Sequence, residues 1–352
     1  GRNSGKEVQA ATALALSLLA GVAGIVLSHV AWARAHGEPV LVRLVQGNIP
    51  QSQKFDPALI DRGIADYMML ARLAPKEAGR EPDITVLPET VVPLLQNRVS
   101  PRVWEDWLAV ARERSTTLLM GVPLHERAGG HDRYTNSVVA FAGDATPESI
   151  AAATLPLRYD KIHLVPFGEF IPAGFRWFVD MMQIPLGDFD RGPVGQRPLA
   201  IAGQQVAPNI CYEDVFGEEI IQSVKGDVTG GGASILVNVS NLAWFGDSWS
   251  LRQHLQIARM RSLETARPML RATNTGMTAA IAADGRVRAV LQPHVKGVLD
   301  VEVQGAQGLT PYVRWGNMPV LLLCGLVLVG GAIWPSRSSA SNAPASTGGE
   351  NK

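Results

Sequence analysis

From Val8 to Trp32 the chain reads VQAATALALSLLAGVAGIVLSHVAW, without one Asp, Glu, Lys or Arg. About 20 apolar residues suffice to cross the hydrocarbon core of a bilayer. The run therefore predicts a transmembrane helix over 8–33. It is longer than the roughly 7–15 residues of a signal-peptide core, which favours a span over a cleaved leader, although Arg2 and Lys6 precede it and Ala33 and Ala35 follow. A second apolar run, Val320–Ile333, lies between Trp315 and Trp334, side chains suited to the membrane interface. With Met318 and Pro319 it predicts a second span over 317–334. Two spans put both ends of the chain on one side of a membrane and everything between them on the other. The polar, small-residue stretch over 335–352 reads as a disordered tail. The absence of a starting Met before Gly1 suggests a processed or truncated product.

Lys plus Arg and Asp plus Glu both number 32 in the 352 residues, so the net charge is zero and no broad basic field exists to attract nucleic acid. The two cysteines are Cys211 and Cys324, and Cys324 lies inside the second apolar run, so no disulfide framework is expected. No His-x-x-x-His or Cys-x-x-Cys spacing occurs, so neither a metal nor another cofactor is implied. The Gly230–Gly232 run lacks the Lys and Ser/Thr of a phosphate loop and reads as a flexible turn.

Between the apolar ends, a domain over 40–305 alternates two patterns. Beta-branched and apolar runs at Val40–Gln46, Ile84–Leu87, Thr117–Val122, Ser137–Ala142, Val206–Ile210 and Ser234–Val239 predict strands. Pro57–Leu73, Pro101–Arg114 and Leu251–Ala266 predict helices. This alternation argues for an α/β sandwich.

Three segments carry chemistry. VAPNICYEDVFGEEII runs from a strand into a helix-like stretch, placing Cys211 on the junction. There the positive end of a helix dipole would lower the thiol pKa, against Glu213 and Asp214. ITVLPE ends a strand at Glu89, at the carboxyl edge where the sites of open α/β sheets gather. YDKIHLVPFGEFIP (159–172) sets Lys161 and Glu169 in a loop crowded with aromatics and prolines. Each residue taken alone has a plainer reading: a buried small hydrophobe for Cys211, solvated surface charge for the others.

In this order, Pro-Glu, Lys with Pro-Phe-Gly-Glu, and Ile-Cys-Tyr-Glu resemble the Glu-Lys-Cys triad of the nitrilase, or carbon-nitrogen hydrolase, superfamily. The stretches LVQGNIPQSQKFD (44–56), KIHLVPFGEFIP (161–172), ICYEDVFGE (210–218), SNLAWFGDS (240–248), QIARMRSLETARPMLRATNTG (256–276) and GLTPYVRWGN (308–317) resemble its apolipoprotein N-acyltransferase branch. The resemblance implies a nitrilase-like αββα sandwich flanked by two transmembrane helices. It implies a bacterial inner-membrane enzyme whose catalytic domain faces the periplasm, and a chain that represents the C-terminal portion of a protein with further helices upstream. Its substrates would be a phospholipid acyl donor and an apolipoprotein acceptor, held at the bilayer.

Carried over position by position, the resemblance makes Glu89 the general base and Cys211 the acyl-carrying nucleophile. Lys161 becomes the positive charge facing the oxyanion, assisted by the backbone N–H of Tyr212. Glu169 would orient Lys161 or the amine, and Glu213 is either catalytic support or helix-start charge. Phe55, Trp244 and Phe245 are candidates for contact with acyl chains, with ordinary packing as their alternative. Phe55 stands where Trp is common in the family, and Leu242 where Asp is usual. His163, two residues after Lys161, invites a Cys–His pairing, but the resemblance gives it no such role and it is expected to be a structural hydrogen-bonder. Two other functions fit the same residues: a membrane-tethered amidase that delivers water to the thioester, and a non-catalytic module that binds lipid or lipoprotein.

Overall fold

The computed structural model of the chain describes residues 2–75, 79–170, 189–226 and 231–333. The first apolar run forms the helix Arg2–Ser28. Its segment Ala10–Ser28 is long and apolar enough to cross a membrane, and none of it is buried. The second run forms the helix Met318–Ile333, 16 residues long. At about 1.5 Å per residue it reaches about 24 Å, short of the roughly 30 Å of a bilayer core. Among the described residues only the first helix meets the length of a span; Trp334 and the expected tail over 335–352 lie outside them.

Among the described residues, twelve strands lie between these helices: β1 (Arg34–Gln46), β2 (Ile84–Val86), β3 (Thr117–Ala128), β4 (His131–Phe141), β5 (Leu157–Asp160), β6 (Leu199–Ile201), β7 (Gln204–Ile210), β8 (Ile235–Ser240), β9 (Met269–Thr273), β10 (Ala279–Ile281), β11 (Val287–Val290) and β12 (Gly297–Gln307). They form two six-stranded sheets, ordered β12-β1-β2-β3-β4-β5 and β11-β10-β9-β8-β7-β6. Each sheet has a parallel centre, β1-β2-β3 in one and β7-β8-β9 in the other, flanked by antiparallel pairs.

The layering follows from the period-two alternation of strand side chains. Val42, Leu44, Leu119, Val138 and Ala140 of the first sheet meet Val206, Ile210, Ile235, Val237 and Leu270 of the second in one core between the sheets. Alternate residues Val45, Leu118, Met120, Val122 and Val139 face the other way, onto the helices Ile60–Ala71 and Pro101–Glu113. Ala207, Leu236 and Met269 do the same on the second sheet, against the helices Gly217–Lys225, Trp249–Thr265 and Pro311–Trp315. The result is the expected αββα sandwich.

The six expected strands and three expected helices all form. Ser100 caps the second of these helices by accepting from the Arg102 N–H, with Pro101 in its first turn. The stretch expected as a loop from Tyr159 begins instead inside β5, and beyond residue 170 it lies outside the described residues. The 40–305 boundary also moves: β1 begins at Arg34 and pairs with β12 from Arg34 opposite Gln307 to Gln46 opposite Gly297. This ladder brings the chain leaving the first apolar helix beside the chain approaching the second. Gly308 makes the approach possible, because a Cβ there would lie 2.3 Å from the Trp32 carbonyl oxygen.

A second close approach seats Glu89. A Cβ on Gly121 of β3 would lie 2.6 Å from the Glu89 Cα and 2.7 Å from the Thr90 nitrogen, both backbone atoms unable to swing aside. Gly121→Ala is expected to cost about 1–3 kcal/mol in chemical denaturation and to displace Glu89. An unchanged midpoint would show that the turn has room to yield.

Candidate active site

The buried centre is an ammonium between carboxylates. Lys161 follows β5, is 1% exposed, and places Nζ 2.8 Å from Glu169 Oε2 and 3.6 Å from Glu89 Oε1. Burial alone would lower its pKa, but the carboxylates of Glu89 and Glu169 more than reverse this and raise it above the ordinary lysine value. Lys161 is therefore a permanent cation.

Glu89 sits on the turn after β2. Its Oε1 accepts from Asn136 Nδ2 at 2.8 Å and its Oε2 from the Asn241 N–H at 3.0 Å, just past β8. Its carbonyl accepts from Lys54 Nζ at 2.9 Å. Glu169 accepts from the same Asn136 amide at 2.6 Å and from the Val165 N–H at 2.8 Å. Asn136, on β4, thus spends its side-chain amide on two carboxylates, while its carbonyl accepts the Lys161 N–H at 2.9 Å. Neither Asn136 nor Lys54 was singled out by sequence reasoning. An amide within a strand and a lysine closing a four-residue helix follow no pattern that marks them as buried.

Cys211 is the first residue beyond β7, and it holds φ at 53°. A non-glycine residue there is strained, and such strain collects where a fold aims a side chain. Its carbonyl is fixed by Asn238 Nδ2 at 3.1 Å, and it opens a five-residue 3-10 turn, Cys211–Val215. The expected lowering of the thiol pKa by a helix dipole does not occur. Burial and the Glu89 charge raise it well above the usual thiol value, and Lys161 only partly offsets them. The thiol is thus protonated at rest, beside a carboxylate able to take its proton and a cation able to face an oxyanion. These are the parts of nucleophilic catalysis through a thioester.

Glu213 is a tie between loops. It is 2% exposed and accepts from the Ile162, His163 and Ile210 N–H groups at 2.6, 3.0 and 2.7 Å, and from the Tyr159 hydroxyl at 3.0 Å. It thereby fastens the Cys211 turn to the start of the Lys161 loop. Burial pushes its pKa up to about 7, against the pull of Lys161 and the three N–H groups. The Tyr212 side chain is exposed and packs edge-on to Phe216 and His163. His163 stacks on Phe216 and bonds Glu219 through Nδ1 at 3.0 Å. Phe55, Trp244 and Phe245 are 49%, 74% and 51% exposed, each with a large part of its ring open to a ligand. They neighbour Lys54 and Leu242 in sequence. Leu242 is buried with φ at 39°.

The chain belongs to the carbon-nitrogen hydrolase family, whose profile matches residues 41–311. It is similar to an apolipoprotein N-acyltransferase of Bordetella bronchiseptica, 53% identical over 326 residues, 92% of this chain and 59% of that protein. One from Ralstonia nicotianae is 45% identical over 333 residues, 93% of this chain and 60% of that protein. The chain thus spans about three fifths of the length of these relatives. Its fold is shared with a CN-hydrolase superfamily protein of Xanthomonas campestris at TM-score 0.53 and 16% identity, over 82% of this chain and 97% of that one. A nitrilase-superfamily amidase of Nesterenkonia gives TM-score 0.53 at 15% identity, with the same coverage.

Asn136→Ala leaves two buried carboxylates each short of a donor, and bonds to charged groups are worth about 1.5–3 kcal/mol each. The variant is expected to unfold about 3 kcal/mol more easily in a denaturant titration; a change under about 0.5 kcal/mol would mean that water replaces the amide. Glu213 gives a pH signature. Its folded pKa of about 7 lies above the ordinary glutamate value of 4.5, so the folded state holds the proton more tightly. Stability due to this group therefore falls as pH rises from 4.5 through 7, by about 3 kcal/mol. Denaturation at stepped pH is expected to show that decline, and Glu213→Gln to flatten it.

Proposed function

We propose that this chain is the catalytic portion of an apolipoprotein N-acyltransferase. The thiol of Cys211 attacks the ester carbonyl of a phospholipid while Glu89 takes its proton. Lys161 and the Tyr212 backbone N–H face the tetrahedral oxyanion. Collapse expels the lysophospholipid alcohol, which receives the proton from Glu89, and leaves the acyl chain as a thioester on Cys211. The α-amino group of a diacylglyceryl cysteine then attacks the thioester. Glu89 takes the amine proton and returns it to the departing sulfur. Glu169 holds Lys161, and Glu213 holds the two loops together.

The observation that carries this reading is the cluster of buried charges beside the half-buried Cys211, with Glu89, Lys161 and Glu169 all at most 9% exposed. The 53% identity to a named apolipoprotein N-acyltransferase over 92% of the chain supports the choice of substrates. The exposed Phe55, Trp244 and Phe245 supply apolar surface for acyl chains. In this reading both apolar helices anchor the domain in the bacterial inner membrane with the sandwich in the periplasm. The pairing of β1 with β12 supports it, since both anchors leave the domain together.

The test is to incubate the full chain with phospholipid in detergent micelles and weigh it intact. One fatty-acyl adduct is expected, absent in Cys211→Ala and formed about 10²–10⁴-fold more slowly in Glu89→Gln. A lipopeptide with a free diacylglyceryl-cysteine amine is expected to discharge it. A folded protein that forms no adduct, or one that turns over simple amides alone, would end the transferase reading.

A further inference from the structure

Lys54 closes the short helix Gln51–Lys54 and is 4% exposed. It lines a small apolar hollow with Ile49, Leu59, Ile60 and Ile64, which explains how the aliphatic stem of a lysine is accommodated inside the fold. The amine emerges on the other side, against the site, and donates to the Glu89 carbonyl at 2.9 Å. Both the Glu89 carboxylate and the Cys211 thiol lie within electrostatic reach of it.

We infer that Lys54 is a positioning residue of this site, tying Glu89 down through its backbone carbonyl and supplying a second buried positive charge that favours the thiolate form of Cys211. The first effect acts through geometry. Glu89 is held from three directions: by Asn136 and Asn241 on its carboxylate, and by Lys54 on its backbone. Among the described residues Lys54 is the side chain that grips the main chain, and a misplacement of about 1 Å in a reacting group costs about 10²-fold in rate. The second effect acts through charge. Lys161 is committed to two carboxylates, so a further cation is the simplest offset to the negative charge that disfavours the thiolate. Burial pushes the Lys54 amine down to about 7, against the pull of Glu89 and Cys211. The charge is present below that pH and fades above it, while the donated hydrogen bond survives deprotonation.

The inference rests on the reading of Cys211 as a reactive thiol, but its test uses no acyl donor, so it stands or falls apart from the lipid chemistry. In a Cys324→Ser background, the full chain in detergent is compared with its Lys54→Met variant, which keeps the apolar stem, after melting curves establish that both are folded. Alkylation of Cys211 by iodoacetamide is followed by intact mass from about pH 6 to about pH 9. A shift of one pKa unit in the thiol changes its thiolate fraction about tenfold. Lys54→Met is therefore expected to react about tenfold more slowly at pH 6, the gap narrowing through pH 7 to a smaller residue left by the lost hydrogen bond. Reaction at the unsubstituted rate throughout, or a gap equal at every pH, overturns the inference. Should the variant not fold, the unsubstituted profile decides. Followed in a Glu213→Gln background, which removes the other group titrating near pH 7, the logarithm of its rate is expected to rise with a slope below one around pH 7 as the Lys54 charge fades. A slope of one across the range overturns the inference.

Discussion

The ammonium of Lys161, with 1% of the residue exposed, is the interaction on which the site depends. Taking an ion of that size out of water costs several kcal/mol even after relaxation. The fold can hold it only by bringing carboxylates to it, and they come from two separate segments, Glu89 after β2 and Glu169 eight residues beyond the lysine. Two acids against one lysine leave a negative balance in a sealed space. Burial first, and that balance second, explain the Cys211 thiol, whose pKa is raised and not lowered. In the proposed mechanism the resting sulfur keeps its proton until Glu89 accepts it.

The same requirement explains the topology. Glu89, Lys161, Cys211 and Asn241 each stand just beyond the end of a strand, β2, β5, β7 and β8 in turn. Two of these strands belong to one sheet and two to the other. The apolar core between the sheets holds the strand ends together, and Asn136, Asn241 and Glu213 fasten the loops with hydrogen bonds. Because Asn241 belongs to the second sheet and donates to an acid from the first, the Glu89 carboxylate is held by both halves of the sandwich. Gly121 removes the last obstacle by letting β3 pass directly beneath the Glu89 turn.

The sequence made the long strands and helices readable because their side chains alternate with the right period. It hid β6 and β10, three residues each, which are too short to show a period. β12 escaped for another reason: Asp300 and Glu302 interrupt its apolar run. In the structure Asp300 is buried against Arg43 of β1 in a two-pronged ion pair, so the charge that disguised the strand is what fixes it to its neighbour. At the site, Glu89, Lys161, Glu169, Cys211 and Glu213 were legible through the order of their motifs. Asn136 and Lys54 were not, since their roles come from burial that no local pattern records. The thiol pKa was misjudged for the same reason: a dipole can be read from a strand-to-helix junction, but desolvation cannot.

The exposed aromatics complete the argument from position. Phe55 follows the buried Lys54, Tyr212 follows Cys211, and Trp244 and Phe245 come just after the buried Leu242. Three turns of chain that contribute to the site, those of Lys54, Cys211 and Asn241, thus present an aromatic side chain outward within one to three residues. A hydrolase of small polar amides gains nothing from large apolar groups in water. An enzyme whose two substrates both carry acyl chains gains a surface on which those chains can lie while their polar ends reach the thiol. That pairing of a dry charged interior with an apolar exterior is the strongest physical reason to prefer acyl transfer between lipids over amide hydrolysis at this site.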